Sequence, residues 1–245
     1  MQLYIAIDDT DNLESRGTGF RIRQMAEEIS EHKLGKPYHV TRHQLLVDPG
    51  IPYTSHNSSA CLIVNDVEDR NAITTYCRDF LLRESAEGSD SGLCVAEPEQ
   101  IDEEIILWGQ NAKRKILLLE NSFPLARKKG IHLEGLIGTR GGAIGALAAV
   151  GLRKTACDGR FLWMKNLRET TGTFTRSELE KIIQFDDLQS TEGLSIGSDE
   201  QIDTGKWPRP VLYKGKIIIF AEKSDEHDYE HWKIASKEFI QSVSS

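Results

Sequence analysis

The first 97 residues alternate between continuous apolar runs and amphipathic segments. Short apolar runs predict buried strands, and apolar positions spaced by three or four residues predict helices. Strands are predicted over Leu3–Asp8, Tyr38–Val47, Ser59–Val64 and Leu93–Ala96, and helices over Phe20–Leu34 and Ala72–Arg83. In chain order this is β-α-β-β-α-β, the split βαβ arrangement of ferredoxin-like folds. The predicted fold class is therefore α/β (α+β), with a mixed sheet.

The remainder of the chain predicts a second α/β region. A glycine-rich segment, Gly135–Gly145, leads into a helix that continues through Ala146–Val150. The pattern further predicts helices over Glu99–Ala112 and Thr175–Ile183, strands over Arg160–Met164 and Lys216–Ala221, and a terminal helix over His227–Val243. The chain is accordingly divided into residues 1–97, 98–165 and 166–245.

The composition narrows the class of protein. The 245 residues include 30 basic and 38 acidic side chains, a formal charge of −8. This balance disfavours a protein that coats nucleic acid non-specifically, although a local basic face remains compatible with it. The longest strongly apolar run, Ala143–Leu152, is shorter than the roughly 20 residues of a membrane helix. The N-terminus shows no secretory leader, and none of the four cysteines forms a Cys-x-x-Cys pair. We therefore expect a cytoplasmic protein with no structural zinc site and no membrane partner.

Three carboxylates follow the first predicted strand directly. Asp8, Asp9 and Asp11 lie within four residues. Because neighbouring negative charges repel one another, keeping all three carboxylates ionised costs free energy unless a cation is bound. Magnesium prefers hard oxygen ligands and usually takes one or two carboxylates together with substrate phosphate. The cluster therefore predicts catalytic and metal-binding aspartates. The alternative is a turn in which Asp11 or Asn12 satisfies the start of the following helix.

Two glycine-rich segments lead into helices, at Ser15–Gly19 and at Gly138–Gly145. Such segments let the backbone approach an anion at a helix N-terminus. The alternatives are a simple helix cap for the first segment and close helix packing for the second. A polar loop before the strand at Ser59 is expected to line a pocket. The predicted cofactor-binding residues are Arg16, Gly17, Gly19, Asn57, Arg140, Gly141 and Gly142, and Thr18 supplies a candidate catalytic hydroxyl.

Taken together and in order, these segments resemble the archaeal tRNA-isoleucine agmatinylcytidine synthetase family, TiaS. The matching blocks are Ile7–Asp11, Arg16–Gly17, Ile51–Tyr53 with Asn57 and Ala60, Ser89–Leu93, and Ile144–Gly151. They are scattered over roughly residues 1 to 165. The pair formed by Ile-Asp-Asp-Thr-Asp and Ile-Gly-Ala-Leu-Ala-Ala is the most specific part of the match.

The resemblance implies an ATP-dependent, kinase-like region. Residues 1–97 would be its ferredoxin-like part, 98–165 its remainder, and 166–245 a C-terminal extension. In the family this region phosphorylates the 2-carbonyl of the wobble cytidine so that agmatine can displace the phosphate. The resemblance also implies that Asp8, Asp9 and Asp11 help to bind ATP and magnesium, and that the glycines before Ile144 line the same site.

The chain also departs from the family. Full-length members carry an OB-fold and a zinc ribbon that help to hold the tRNA, for which this sequence has neither the length nor the Cys-x-x-Cys motifs. The family's autophosphorylated threonine, three residues after its Arg-Gly, corresponds to Phe20 here, and Thr18 can replace it only in a rearranged loop. Of the family's Arg-Gly-Asn-Gly stretch, replaced here by Ser55–Ser58, only Asn57 is kept.

The leading hypothesis is an ATP- and Mg²⁺-dependent phosphotransfer or ligase-type enzyme whose acceptor the sequence leaves open. One alternative is a non-catalytic nucleotide- or RNA-binding module. Another is a subunit that acts on tRNA or another RNA together with a separate tRNA-binding chain. The predicted cofactors are ATP and Mg²⁺ under each enzymatic hypothesis.

Overall fold

A five-stranded antiparallel sheet underlies the N-terminal unit, Met1–Thr155, of the computed structural model, which describes residues 1–51, 57–224 and 231–244. Within these residues the strand order is β5-β4-β1-β3-β2. The elements are β1 (Leu3–Asp8), α1 (Thr18–Glu31), β2 (Lys36–Gln44), β3 (Ser58–Asn65), α2 (Arg70–Glu84), β4 (Gly92–Ala96), α3 (Glu103–Ala112), α4 (Leu119–Lys128), β5 (His132–Gly135) and α5 (Gly142–Lys154).

The order β4-β1-β3-β2 confirms the ferredoxin-like prediction for this part of the chain. Every residue of β1 is buried, because helices cover both faces of the sheet. Side chains alternate between the two faces, and Tyr4 and Ala6 pack in the same core as α3 and α5. Asp8 continues that alternation, so the last residue of β1 faces the α5 side.

Two elements of this unit were not predicted, and one was predicted too long. The helix expected over Glu99–Ala112 is interrupted: a 3₁₀ turn spans Pro98–Gln100, and α3 begins only after Asp102 accepts hydrogen bonds from its first turn. The helix α4 was not predicted because Pro124, a residue that normally breaks helices, lies inside it. The edge strand β5 was not predicted because its four half-buried residues show almost no alternation of apolar and polar side chains.

The C-terminal unit, Ala156–Ser245, has its own core. Its elements are β6 (Arg160–Trp163), β7 (Thr173–Thr175), α6 (Arg176–Ile182), β8 (Asp187–Ser190), β9 (Gln201–Asp203), β10 (Val211–Tyr213), β11 (Lys216–Lys223), β12 (His231–Ile234) and α7 (Lys237–Val243). The strand order is β6-β10-β11-β12-β9-β7, with β8 beside β11. The pairs β8–β11 and β9–β12 are parallel and the rest antiparallel, which confirms a mixed sheet.

The predicted terminal helix over His227–Val243 is wrong in its middle part. Residues 227–230 lie outside the described residues, His231–Ile234 form β12, and the helix begins only at Lys237. Ser236 ends the extended segment and its hydroxyl accepts the Phe239 N–H, so a new helix starts there. The helix predicted over Thr175–Ile183 is α6, and a capping box between Thr175 and Glu178 satisfies its start. No helix among the described residues is both long and apolar enough to cross a membrane.

Candidate functional site

A pocket of about 260 Å³ opens where β1 ends, within the N-terminal unit. Its two parts differ in chemistry. The acidic part is formed by Asp8, Asp9, Asp11 and Asp90. The apolar part is formed by Leu45, Ala112, Ile116, Leu117 and Ile144. A site with this division suits a ligand that has one apolar end and one end that carries charge or a cation.

Asp8 is the most deeply placed of the four carboxylates. Its side chain is 9% exposed, and burial raises its pKa well above the ordinary value, with further contributions from the neighbouring charges of Asp9 and Asp11. It lies against α5 at a position where only glycine fits, because a Cβ at Gly145 would overlap Asp8 Oδ2. The glycine in the first turn of α5 therefore makes room for the carboxylate.

Asp9 has a left-handed backbone, with φ of 51°. Burial raises its pKa to about 6, and the carboxylates of Asp90 and Asp11 add to the rise, while a backbone hydrogen bond from Asp90 opposes it. Such a conformation costs energy for a non-glycine residue and is concentrated at functional sites. Asp9 is thus a half-buried carboxylate with two acidic neighbours, a setting that a bound cation would relieve.

Asp11 satisfies the start of α1. Its Oδ1 accepts hydrogen bonds from the backbone N–H of Thr18 at 3.2 Å and from the Thr18 hydroxyl at 2.9 Å. The Thr18 hydroxyl also accepts from Thr10, through Oγ1 at 3.1 Å and the backbone N–H at 3.3 Å. Thr18 lines the pocket, but its hydroxyl is buried and already bonded. The structural alternative considered for Asp11, that it caps a helix, is therefore part of its role.

Asp90 joins the site from the loop before β4. Its Oδ1 and Oδ2 accept hydrogen bonds from Thr139 N and Thr139 Oγ1, both at 2.6 Å, and its main-chain oxygen accepts from Gly142 N at 2.9 Å. Asp90 thereby holds the glycine-rich turn against the end of β1. Asp90 was not predicted as a site residue, although it lies in the Ser89–Leu93 block of the resemblance.

The predicted glycine-rich turn is at the site, but its amides are partly used. Gly141 and Gly142 line the pocket. A Cβ at Gly142 would lie 2.6 Å from Asp90 O and 2.9 Å from Asp8 O, so close packing requires a glycine here. The Gly142 N–H donates to Asp90, and the Ala143 and Ile144 N–H groups donate to carbonyls of the turn. The close-packing interpretation therefore holds, and the segment also forms part of the pocket wall, whereas anion binding by its amides stays a prediction.

Among the other predicted binding residues, only Asn57 lines the pocket. Its Nδ2 donates to Leu46 O at 2.6 Å, which joins the two ends of the segment that connects β2 to β3. Residues 52–56, which include Pro52 and Tyr53 of the matching blocks and Ser55 of the replaced stretch, lie outside the described residues.

Four predicted cofactor-binding residues are not among the described residues that line the pocket: Arg16, Gly17, Gly19 and Arg140. The guanidinium of Arg16 is solvent-exposed and lies 4.8 Å from the centre of the Phe20 ring. Arg140 has a left-handed backbone, with φ of 68°, and packs beside Gly135. The backbone turn at Arg140 places its neighbours in the pocket wall instead. Ser58 and Thr139 line the pocket and belong to the polar loop and the glycine-rich segment that the sequence indicated, whereas Lys115, which also lines it, was not predicted.

The three clustered aspartates do not form a ready-made metal site. In the part of the chain that the structure describes, no group of three or more His, Cys, Asp or Glu side chains is placed to hold a metal ion. Asp8 lies against Gly145, and Asp11 is bonded to Thr18. The donor chemistry nevertheless suits a hard cation, because the carboxylates of Asp8 and Asp9 are buried beside like charge. Mg²⁺ would take one or two of these carboxylates and complete its shell with phosphate and water.

No family model matches the sequence, and no curated protein does so either. The fold is nevertheless shared with solved structures of enzymes that act on tRNA, and the likeness spans 62% of this chain but only about a third of theirs. One of them is a tRNA fluorescent labeling enzyme, with 25% identity, a TM-score of 0.55 and 36% of its chain covered.

The other structures are of TiaS, the agmatidine synthetase of an isoleucine tRNA. Apo TiaS shows 22% identity, a TM-score of 0.53 and 35% of its chain covered. The complex of TiaS with this isoleucine tRNA and ATP shows 24% identity, a TM-score of 0.54 and 36% of its chain covered. The resemblance to TiaS inferred from the motifs is thus confirmed at the level of the fold.

Proposed function

We propose that the pocket binds ATP with Mg²⁺ and that the N-terminal unit is a phosphotransfer or ligase-type catalytic region. The observation that carries the proposal is the convergence of four aspartates, from the end of β1 and the start of β4, on the first turn of α5. Phosphoryl transfer depends mainly on positioning and on neutralising charge, and a magnesium ion between carboxylates and phosphates supplies that neutralisation.

The residues of this chain divide the work in the proposed site. Asp8 and Asp9 would hold the cation, since both carboxyl groups are buried beside like charge. Asp11 accepts the hydrogen bond that holds the start of α1, and its carboxylate would supply a third oxygen ligand to the cation. Asp90 fixes the turn at Thr139, so that the pocket wall stays rigid when the phosphates enter. The apolar part of the pocket would take the nucleoside end.

The comparisons support this proposal and suggest an acceptor. One TiaS structure is a complex with its isoleucine tRNA and ATP, and another is a complex with the same tRNA, AMPCPP and agmatine. On this basis we propose tRNA, or another RNA, as the acceptor. The likeness covers only about a third of the TiaS chain.

The test is isothermal titration of ATP into the purified chain, with Mg²⁺ and with EDTA, followed by an assay of phosphate release with tRNA present and absent. We expect binding that requires Mg²⁺ and turnover that requires RNA. An Asp8→Asn variant should keep the fold and lose most of the Mg²⁺-dependent affinity, because the amide cannot neutralise the cation. Full affinity of this variant for Mg–ATP would contradict the assignment of Asp8.

A second function, non-catalytic nucleotide binding, is favoured by one observation. The Thr18 hydroxyl, the nearest substitute for the family's modified threonine, is buried and bonded to Asp11 and Thr10. If ATP binds with Mg²⁺ but no phosphate is released with any RNA or partner chain supplied, the binding function is the correct one. Incorporation of phosphate into Thr18, seen by mass spectrometry, would exclude it.

A further inference from the structure

We propose that Lys115 binds the phosphate chain of the nucleotide, an inference that rests on the proposed function. Lys115 lines the pocket together with the next two residues of the chain, Ile116 and Leu117. These three residues follow α3 and form one continuous piece of the pocket wall. Lysine is a common phosphate ligand because its ammonium acts as a compact charge on a flexible stem.

The acidic residues of the pocket would repel a phosphate chain, and Lys115 supplies a positive charge in the pocket wall. Among the described residues that line the pocket, the charged side chains are the four aspartates and Lys115. A polyphosphate that enters beside these carboxylates meets electrostatic repulsion, which cations close to the phosphates offset. A single magnesium ion compensates two charges, and the Lys115 ammonium offsets a further one.

Lys115 is held by a well-anchored piece of backbone. Its N–H donates to Asn111 O at 2.9 Å, so the last turn of α3 continues up to it. The Leu46 N–H donates to Ala112 O at 3.0 Å, which joins this turn to the loop after β2. Trp108 Nε1 donates to Ile144 O at 3.1 Å and so ties α3 to the first turn of α5. The Cα of Lys115 therefore keeps a defined position relative to the glycine-rich turn.

The ammonium of Lys115 is available to a ligand. Lys115 is exposed, and within the described residues it forms no ion pair, even with the aspartates of the same pocket. Lys128 and Lys129 differ in this respect, since Glu104 pairs with both of them. Because the Lys115 ammonium forms no ion pair with the carboxylates of the pocket, it can form one with an incoming anion.

The experiment measures the affinity of the full chain for Mg–ATP and for adenosine by isothermal titration. Lys115→Ala should weaken Mg–ATP binding by about 10-fold, equal to about 1.4 kcal/mol, and adenosine binding by less than about twofold. Lys115→Arg should restore most of the Mg–ATP affinity. The matched control is Arg114→Ala, which removes a neighbouring exposed cation that does not line the pocket.

Three results would overturn the inference, and they can be told apart. Lys115→Ala with wild-type affinity for Mg–ATP would show that the ammonium does not contact phosphate, while the proposed function stands. An equal loss for adenosine and Mg–ATP would show that Lys115 only shapes the pocket wall. A wild-type chain that binds neither Mg–ATP nor inorganic tripolyphosphate would overturn the proposed function and this inference together.

Discussion

At the scale of single residues, the site is defined by carboxylates that the fold holds close together against their mutual repulsion. Asp8 and Asp9 have raised pKa values because burial and like charge both disfavour ionisation. The space for Asp8 exists only because residue 145 is a glycine. These two facts lead to separate predictions, one about packing and one about pH.

The packing prediction concerns Gly145→Ala. The added Cβ would overlap Asp8 Oδ2, so we expect a loss of about 1 to 3 kcal/mol in the free energy of unfolding. Replacing Asp8 by alanine removes the obstructing atoms, and in that background the same change should cost less than about 1 kcal/mol. Urea denaturation of the four proteins gives the coupling energy. Equal costs in both backgrounds would show that Asp8 and Gly145 are not in contact.

The pH prediction concerns Asp9 in the metal-free protein. Its pKa is raised to about 6 in the folded state, so the folded state binds more protons than the unfolded state between the two pKa values. The stabilisation is full below the unfolded pKa of about 3.9 and is lost as the pH rises through 6. Because the carboxyl is partly solvated, we expect a difference of about 1 to 2 kcal/mol between pH 4 and pH 7.

The control for this pH dependence is Asp9→Asn, which cannot ionise. Urea denaturation in EDTA at several pH values should show that the variant gains stability relative to the wild type as the pH rises. Mg²⁺ should reduce that gain at pH 7 more than at pH 4, since the cation compensates the ionised carboxylate. A gap between the two proteins that does not change with pH would contradict the raised pKa.

At the scale of elements, helix starts and strand ends build the site. The helix α1 begins where Asp11 accepts two hydrogen bonds from Thr18, and β1 ends one residue before the left-handed backbone of Asp9. The helix α5 begins at the turn held by Asp90. These elements were predicted from local patterns: an apolar run for β1, helical spacing for α1 and small residues after a glycine-rich segment for α5. The helix α4 was not predicted because of Pro124, and β5 was not predicted because it is short and half-buried.

Two substitutions at Asp11 separate its structural role from its charge. Asp11→Asn keeps the oxygen that accepts from Thr18, and Asp11→Ala removes it. We expect Ala to lower the free energy of unfolding by about 1 kcal/mol and Asn to lower it by about half as much or less. If the Asp11 carboxylate also coordinates the cation, both variants should weaken Mg–ATP binding. Equal stability of the two variants would show that Asp11 does not support α1.

At the scale of the whole molecule, the chain consists of two units with separate cores, and the pocket belongs to the first. The shared fold with TiaS covers 62% of the chain, a length close to that of the N-terminal unit. The C-terminal unit contributes no described residue to the pocket wall. We therefore place the proposed nucleotide site in the N-terminal unit.

Hydrogen exchange of the full chain tests this assignment. Saturating Mg–ATP should slow exchange in the pocket-lining segments 8–18, 45–51, 112–117 and 139–145, because bound ligand suppresses local opening. Exchange in the strands β6 to β12 should stay unchanged within error. Protection concentrated in the C-terminal unit would place the nucleotide elsewhere and contradict the assignment. Mg²⁺ without nucleotide is the control for effects of the cation alone.

The sequence alone determined the ferredoxin-like order of the first 97 residues, because hydrophobic periodicity is a local property that each strand and helix displays by itself. It also singled out Asp8, Asp9, Asp11 and the turn at Gly141. Tertiary structure decided which further residues join them. The register that sets Asp8 opposite Gly92 brings in Asp90, and the packing of α3 on α5 brings in Lys115. The first pairing links residues 84 positions apart and the second links residues 36 positions apart, and both depend on the whole core rather than on any local pattern.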